Sequence, residues 1–322
     1  MSSIQAPGDI VPSPPEAVTR IQNLLCTLFE LPDIKASPAA LAKSLDRVDI
    51  DIIQRGYVCS QKADGVRVLL LLTGETAYLF LRNWDCQMVP FASDGLYLFD
   101  TELVAGTHAF VFDCLIYKNQ PAIHHDYLYR IELFRRWLSL HGTEKATAAH
   151  PLEVGTQYAH ATVQLASSLQ VLPKPVFNAT AQQVWTIPAP FLVDGLIFTR
   201  LLDRYRMNLS SPRSILKWKP LHEITIDFHA VELARPYMAK LPHLLQQFQT
   251  QQGQVSLQIL DKGRPVTVAK IDTALRGIIE CGWSHGQWRV VRDRPDKARP
   301  NSHTTVVATL YNIIDDITIE EL

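Results

Sequence analysis

Several ionisable groups in this chain stand where chemistry could use them. Lys62, in "SQKADGVR", follows an apolar run and precedes an Asp64-Gly65 turn by two residues. A lysine amine attacks phosphorus only in its neutral form, which burial or neighbouring cations favour. A lone match of this kind is more often a solvated lysine on a hairpin, so its standing depends on partners elsewhere. Arg67 comes five residues later, which on an extended segment brings it to the same cleft or its rim. Glu102, in "FDTELV", is a carboxylate within an apolar strand, where it costs energy unless paired, hydrogen-bonded or bound to a metal. Asp194, in "VDGLIF", repeats the pattern before a glycine at the mouth of a strand. Lys217 and Lys219, in "LKWKP", stand two apart. On one strand they would point to one face and repel each other, unless an anion such as phosphate lay between them. Near the end, "RDRPDKARPN" gathers Arg292, Arg294, Lys297 and Arg299 with two aspartates.

The elements that must carry these groups follow from periodicity. "PPEAVTRIQNLLCTLFELP" opens on proline, keeps apolar residues at helical spacing and stops at proline, which predicts a helix. "SPAALAKSLDRVDIDII" predicts a second, capped by Ser37. From residue 57 the pattern is that of strands: "VRVLLLL", a turn at "TGET", then "AYLFLRN". "GLYLFDTELVAG" and "HAFVFDCLIYKN" repeat the theme across a turn at "AGTH". "DYLYRIELFRRWLSLHG" predicts an amphipathic helix ending on Gly142. Residues 143–190 read as mixed helix and loop, with proline clusters at "LPKPVF" and "IPAPF". "FLVDGLIFTR" and "SILKWKP" read as strands, and Pro220 marks a hinge. Beyond it, "EITIDFHAVEL", "QVSLQIL", "PVTVAKI" and "QWRVVRDR" predict a small barrel of the oligonucleotide-binding (OB) type, interrupted by a helix at 238–250. "TTVVATLYNIIDDI" is predicted to close the chain as a helix.

Composition narrows the class further. The length of 322 residues suggests two domains, and 47% apolar residues suffice for a real core. With 32 acidic and 31 basic residues, any contact with nucleic acid must come from a local basic groove. The five cysteines form no CxxC pair, which suggests buried thiols in a reducing compartment rather than disulfides or a zinc site. The first residues lack the apolar core of a secretory signal, and no apolar run has bilayer length. The expectation is an intracellular protein with no membrane partner.

Order makes the motifs specific. Lys62-Ala63-Asp64-Gly65-Val66-Arg67, then "DTELV", "FVFDCLIY", "VDGLIF", "LKWKP" and "RDRPDKARPN", resembles the covalent nucleotidyltransferase superfamily: ATP-dependent DNA ligases, RNA ligases and mRNA capping guanylyltransferases. "LKWKP" followed by "TIDF", and "RPDKARPN", resemble the capping branch, over about residues 57–301. Thr101 stands where the third motif often has glycine, with little effect expected because Glu102 is present. The resemblance implies an α+β fold: a nucleotidyltransferase domain of antiparallel sheets flanked by helices (1–222), a C-terminal OB-fold lid (223–300) and a terminal helix (301–322).

It also implies a mechanism. Lys62 would attack the α-phosphate of GTP, expel pyrophosphate, and hold GMP covalently until the 5′-diphosphate end of an RNA takes it as the GpppN cap. Arg67 and Glu102 would hold the ribose hydroxyls, Arg82 in "FLRN" would add a phosphate or ribose contact, and Phe112 would stack on guanine. Asp194 would hold a divalent metal, Mg²⁺ or Mn²⁺. Lys217 and Lys219 would grip the α-phosphate, while Asp227, Arg294, Asp296 and Lys297 would reach the β- and γ-phosphates. No HCx5R phosphatase loop is visible, so the implied partners include a separate RNA triphosphatase and RNA polymerase, in the nucleus or, for a cytoplasmic virus, the cytoplasm. Two alternatives stay open on the residues: an ATP-dependent polynucleotide ligase, and a catalytically inactive RNA-binding subunit.

Overall fold

The computed structural model describes residues 10–142, 162–207, 213–232 and 237–322. The chain divides into two compact units, the first ending at Trp218 and the second beginning at Lys219. The first carries strands β1 (Val11–Pro12), β2 (Lys43–Ser44), β3 (Tyr57–Ala63), β4 (Val66–Leu72), β5 (Thr76–Phe80), β6 (Cys86–Pro90), β7 (Tyr97–Val104), β8 (His108–Tyr117), β9 (Gln120–Pro121), β10 (Val163–Ala166), β11 (Leu169–Pro173), β12 (Val193–Arg200) and β13 (Ile215–Trp218). Its helices are α1 (Pro15–Phe29), α2 (Ile50–Ile53), α3 (Tyr127–His141) and α4 (Ala181–Thr186).

Among the described residues these strands make two sheets. One runs β1-β6-β5-β4-β7-β8-β11-β10 with β9 beside β8, and the other runs β2-β13-β12-β3. The run "VRVLLLL" has no polar alternation because β4 is buried on both faces. Leu70 and Leu72 join Phe99, Phe134 and Trp137 on the α3 side. Leu69 and Leu71 join Ile21, Leu25 and Phe29 of α1 on the other. Helix α1 begins at Pro15, where a missing N–H costs nothing, and stops at Glu30, which turns left-handed (φ 51°). The "AGTH" turn is as expected: Ala105 (φ 51°) and Gly106 (φ 70°) are both left-handed, as a tight hairpin requires.

Three expectations need correction. The predicted helix at 37–53 does not form as one element: Ser37 starts no helix, Lys43 and Ser44 pair with β13, and only a short 3₁₀ turn and α2 are helical. Pro38 and the cap-forming Asp46 divide a pattern whose apolar spacing looked continuous. Asp64-Gly65 does turn the chain, but not as a hairpin, because β3 and β4 belong to different sheets. Within 143–190, residues 143–161 lie outside the described residues, and the remainder includes the β10–β11 hairpin besides α4.

The second unit is an antiparallel sheet of β14 (Thr225–Glu232), β15 (Val255–Asp261), β16 (Arg264–Ile271), β17 (Gly277–Ser284) and β18 (Gln287–Asp293). The order β16-β15-β14-β17-β18, with the first strand paired on both sides, is that of an OB-fold. Helix α5 (His303–Asp315) sends Val306, Leu310 and Ile313 into the same core as Phe228, Leu257 and Trp288. The expected helix at 238–250 is only a 3₁₀ segment, His243–Phe248. Four cysteines, at 59, 86, 114 and 281, are buried as expected. No described helix is long and apolar enough to cross a membrane.

Candidate active site

Where the two sheets of the first unit meet, the Asp64-Gly65 corner sets Lys62 at the end of β3 and Arg67 near the start of β4. The corner needs glycine: a Cβ on Gly65 would stand 2.7 Å from the carbonyl oxygen of Leu103 and 3.0 Å from the Glu102 side chain. That close approach brings Glu102 up to the lysine motif.

Asp194 arrives by a β-bulge. In the β3–β12 pair, Ala63 faces Val193 and Gln61 faces Leu196, so Lys62 alone opposes both Asp194 and Gly195. Gly195 takes φ 154°, a conformation that glycine accommodates without strain. The bulge turns the Asp194 carboxylate onto Lys62, whose Nζ donates to its two oxygens at 2.7 and 3.0 Å. Asp194 is the second residue of β12, at the mouth of the strand as the sequence suggested.

Arg67 lies across from Glu102 in the β4–β7 register. Its guanidinium is fixed from behind: Nε and Nη2 donate to the buried Asp100 at 2.8 and 2.5 Å, and Nη1 donates to the Ala40 carbonyl at 2.6 Å. Tyr205 donates to the same Asp100 and receives the Ala40 amide at 2.9 Å. Nη2 also donates to the Tyr205 hydroxyl oxygen at 3.4 Å, so of the five N–H donors of a guanidinium one, on Nη1, remains for a ligand. Phe112 sits beneath this group, with Arg67 5.4 Å and Lys174 5.3 Å from its ring centre.

Lys174 is the residue the sequence did not single out. It follows β11 immediately, its amide donating to the Val111 carbonyl at 2.8 Å, and it is buried. Burial, with Lys62 and Arg67 adding repulsion, pushes its amine down to about 8, against the attraction of Glu102 and Asp194. Burial likewise raises the Glu102 carboxyl, against the pull of Lys174, Lys62 and Arg67. These groups share one electrostatic neighbourhood, and neither charge is comfortable in it.

The remaining sequence candidates fall in different places. Lys217 is on β13, facing Ile197 of β12, but the strand ends at Trp218, so Lys219 lies outside it and falls in the second unit. Arg82 is in the exposed turn after β5, with no ion pair to this cluster among the described residues. Thr101 is buried and donates to the Val68 carbonyl at 2.8 Å, so its hydroxyl is satisfied.

Asp227, Arg294, Asp296 and Lys297 do come together, all within the second unit. Arg294 forks onto Asp296 at 2.9 and 2.8 Å, and its Nη1 reaches Asp227 at 3.0 Å and Glu280 at 3.2 Å. Lys297 approaches Asp227 at 3.9 Å. Asn301 closes the loop, donating its amide to the Asp227 carbonyl at 2.9 Å and accepting the Asp227 amide at 2.8 Å. The hydrogen bonds from Arg294 hold the Asp296 carboxyl down at about 2.

Comparison with known proteins decides the family. A model described as "mRNA capping enzyme, catalytic domain" matches residues 1–221, and one described as "mRNA capping enzyme, C-terminal domain" matches residues 215–322. The chain belongs to the mRNA capping enzyme family. A relative named mRNA-capping enzyme subunit alpha, from Yarrowia lipolytica, is 26% identical over 365 residues, covering 99% of this chain and 88% of its own length. The mRNA-capping enzyme of Danio rerio is 25% identical over 328 residues, covering 92% of this chain, which spans 50% of that relative. Among solved structures, mycobacterial DNA ligase D complexed with ATP and MES aligns over 81% of this chain and 96% of its own, with 14% identity and a TM-score of 0.43. For this capping-family chain, the cluster around Lys62 is the candidate active site.

Proposed function

We propose that the protein is an mRNA guanylyltransferase that moves GMP from GTP through Lys62 to the 5′-diphosphate end of RNA. The observation that carries this reading is the bulge that sets Asp194 on Lys62 within a cluster of Glu102, Arg67, Phe112 and Lys174. Lys62 forms a P–N bond to the α-phosphorus as the bond to pyrophosphate breaks. The amine gives up its proton, for which Asp194 is the nearest acceptor. The terminal oxygen of the RNA diphosphate then attacks the same phosphorus and releases Lys62. Splitting the transfer in this way is covalent catalysis, with positioning and charge neutralisation supplying most of the acceleration.

Phe112 offers a face for the base, and Lys174 beside it supports GTP over ATP. An ammonium group only donates, guanine presents O6 as an acceptor, and adenine presents N6–H₂, a donor, at the equivalent position. Arg67 and Glu102 are assigned to the ribose, Lys217 and Lys219 to the α-phosphate, Arg82 to an outer phosphate or ribose contact, and the Asp227, Arg294, Asp296 and Lys297 cluster to the β- and γ-phosphates.

Among the described residues no three His, Cys, Asp or Glu side chains converge. Mg²⁺ or Mn²⁺ is a hard cation commonly held by one or two carboxylates, with substrate phosphates and water completing the shell. Asp194 is the carboxylate that would hold it, and the cation would neutralise phosphate charge. The diphosphate RNA end requires prior removal of a γ-phosphate, a step we assign to a separate triphosphatase. Acting on new transcripts, with RNA polymerase as partner, the enzyme would work in the nucleus, or in the cytoplasm for a cytoplasmic virus.

The test is label transfer. With a divalent metal, α-labelled GTP should mark the denatured protein and α-labelled ATP should not. Label from ATP would favour a ligase, and label from neither would favour a binding subunit.

A further inference from the structure

We infer that Glu280 is a positioning residue for the phosphate grip, holding Arg294 against the sheet at the angle the polyphosphate needs. The inference rests on the assignment of the Arg294 cluster to the β- and γ-phosphates. Glu280 stands on β17 directly opposite Asp227 on β14. Its carboxylate is mostly buried, at 13% exposed, and accepts from Thr225 Oγ1 at 2.5 Å, Arg292 Nε at 2.6 Å and Arg294 Nη1 at 3.2 Å. Although burial works to raise it, the hydrogen bonds from Thr225 and Arg292 outweigh that and keep the group ionised.

The division of labour around Arg294 explains why a second sheet-borne carboxylate is needed. Asp296 takes Nε and Nη2, but it lies two residues away in the same loop and cannot fix that loop to anything else. The Arg294 amide donates to the Ile278 carbonyl on β17 at 2.8 Å, but of the guanidinium only Nη1 reaches the sheet, through Asp227 and Glu280. Asp227 also faces Lys297, and burial pushes its carboxyl up, so it is the less secure of the two anchors. Glu280 is clamped by Thr225 on its own sheet face.

Positioning and bare electrostatics predict opposite signs. Arg292, Arg294 and Lys297 are balanced by Asp227, Glu280 and Asp296. Deleting the Glu280 charge leaves the cluster more positive, which by charge alone should help it take a polyphosphate. If Glu280 positions Arg294, the same change should slow the step that expels pyrophosphate.

The experiment separates the two half-reactions of the full chain. Single-turnover transfer of label from α-labelled GTP to the protein reads the first, and transfer from isolated enzyme–GMP to diphosphate-ended RNA reads the second. For Glu280→Gln we expect the first step to fall about tenfold at saturating GTP, the loss of one charged hydrogen bond. KM for GTP should stay within about twofold, and the second step should be unchanged. Glu280→Asp should recover part of the rate. Thr225→Val, a milder change, should lower the first step in the same direction and serves if Glu280→Gln does not fold. A first step that is unchanged or faster overturns the inference, as does a parallel fall in both steps with the melting temperature. Arg294→Ala is the control. If it slows the first step and Glu280→Gln does not, only the role of Glu280 falls. If Arg294→Ala also has no effect, the phosphate assignment of the cluster falls with it.

Discussion

The clusters around Lys62 and Arg294 both gather several charges, but they treat charge in opposite ways. At Lys62 the groups are drawn from five strands and the residue after β11, most are deeply set, and the balance is strained. Lys174 is held near 8 and Glu102 is raised, each mainly by burial. At Arg294 the groups come from neighbouring strands and the loop beyond, and each charge is matched by an ion pair with a neighbour. The first cluster resembles a site prepared for an incoming charge, and the second a set of cations already satisfied by their own carboxylates. Pairing is the difference: burial makes the charges on Lys174 and Glu102 costly because no hydrogen-bonded counter-charge among the described residues offsets it, so a substrate that supplies one gains more there.

That contrast can be broken or sharpened by substitution. The largest effect should come from Asp194→Asn, which keeps the shape but removes the carboxylate beside Lys62, and with it the proposed proton acceptor and metal ligand. We expect guanylylation to fall by roughly 10²–10⁴-fold, read by single-turnover labelling. A loss under about tenfold would mean that the carboxylate is not part of the chemistry.

Next is Lys174→Met. Preference for GTP over ATP should fall about tenfold, the discrimination of one base contact. The sign of the pH effect follows from its amine: protonated below about 8, it donates; neutral above, it loses a proton and its charge. kcat/KM for GTP should therefore decline as pH rises through about 8, and the variant should lack that limb. The same pH profile in both proteins would contradict this role.

The smallest effect belongs to the exposed rim of the second cluster. Arg292 is 64% exposed, so Arg292→Gln should change stability by no more than about 0.5 kcal/mol, read by thermal melting. A larger loss would show that the second cluster is as tightly conditioned as the first.

How much of this was legible in the sequence depended on the kind of signal. Glu102 and Asp194 were visible because a carboxylate inside an apolar run needs an explanation. Asp100, in the same run as Glu102, carried the same signal, but its role as the anchor of Arg67 depends on β4 and β7 pairing in one register. Lys174 carried no signal: it sits between prolines in "LPKPVF", and only the parallel β8–β11 pairing brings it to Phe112. Glu280 carried no signal: β17 opens on Gly277 and contains Gly282, and only its pairing with β14 brings Glu280 opposite Asp227. The Asp64-Gly65 turn was legible locally. That it joins two sheets was not, because that depends on β12 pairing with β3 from far along the chain.

The central claim is that Lys62 carries the GMP. After incubation with GTP and a divalent metal, digestion and mass spectrometry should find a GMP adduct on the Lys62 peptide, removed by added pyrophosphate and absent in Lys62→Ala. An adduct on Lys174, Lys217 or another residue, or one that persists in Lys62→Ala, would contradict the account.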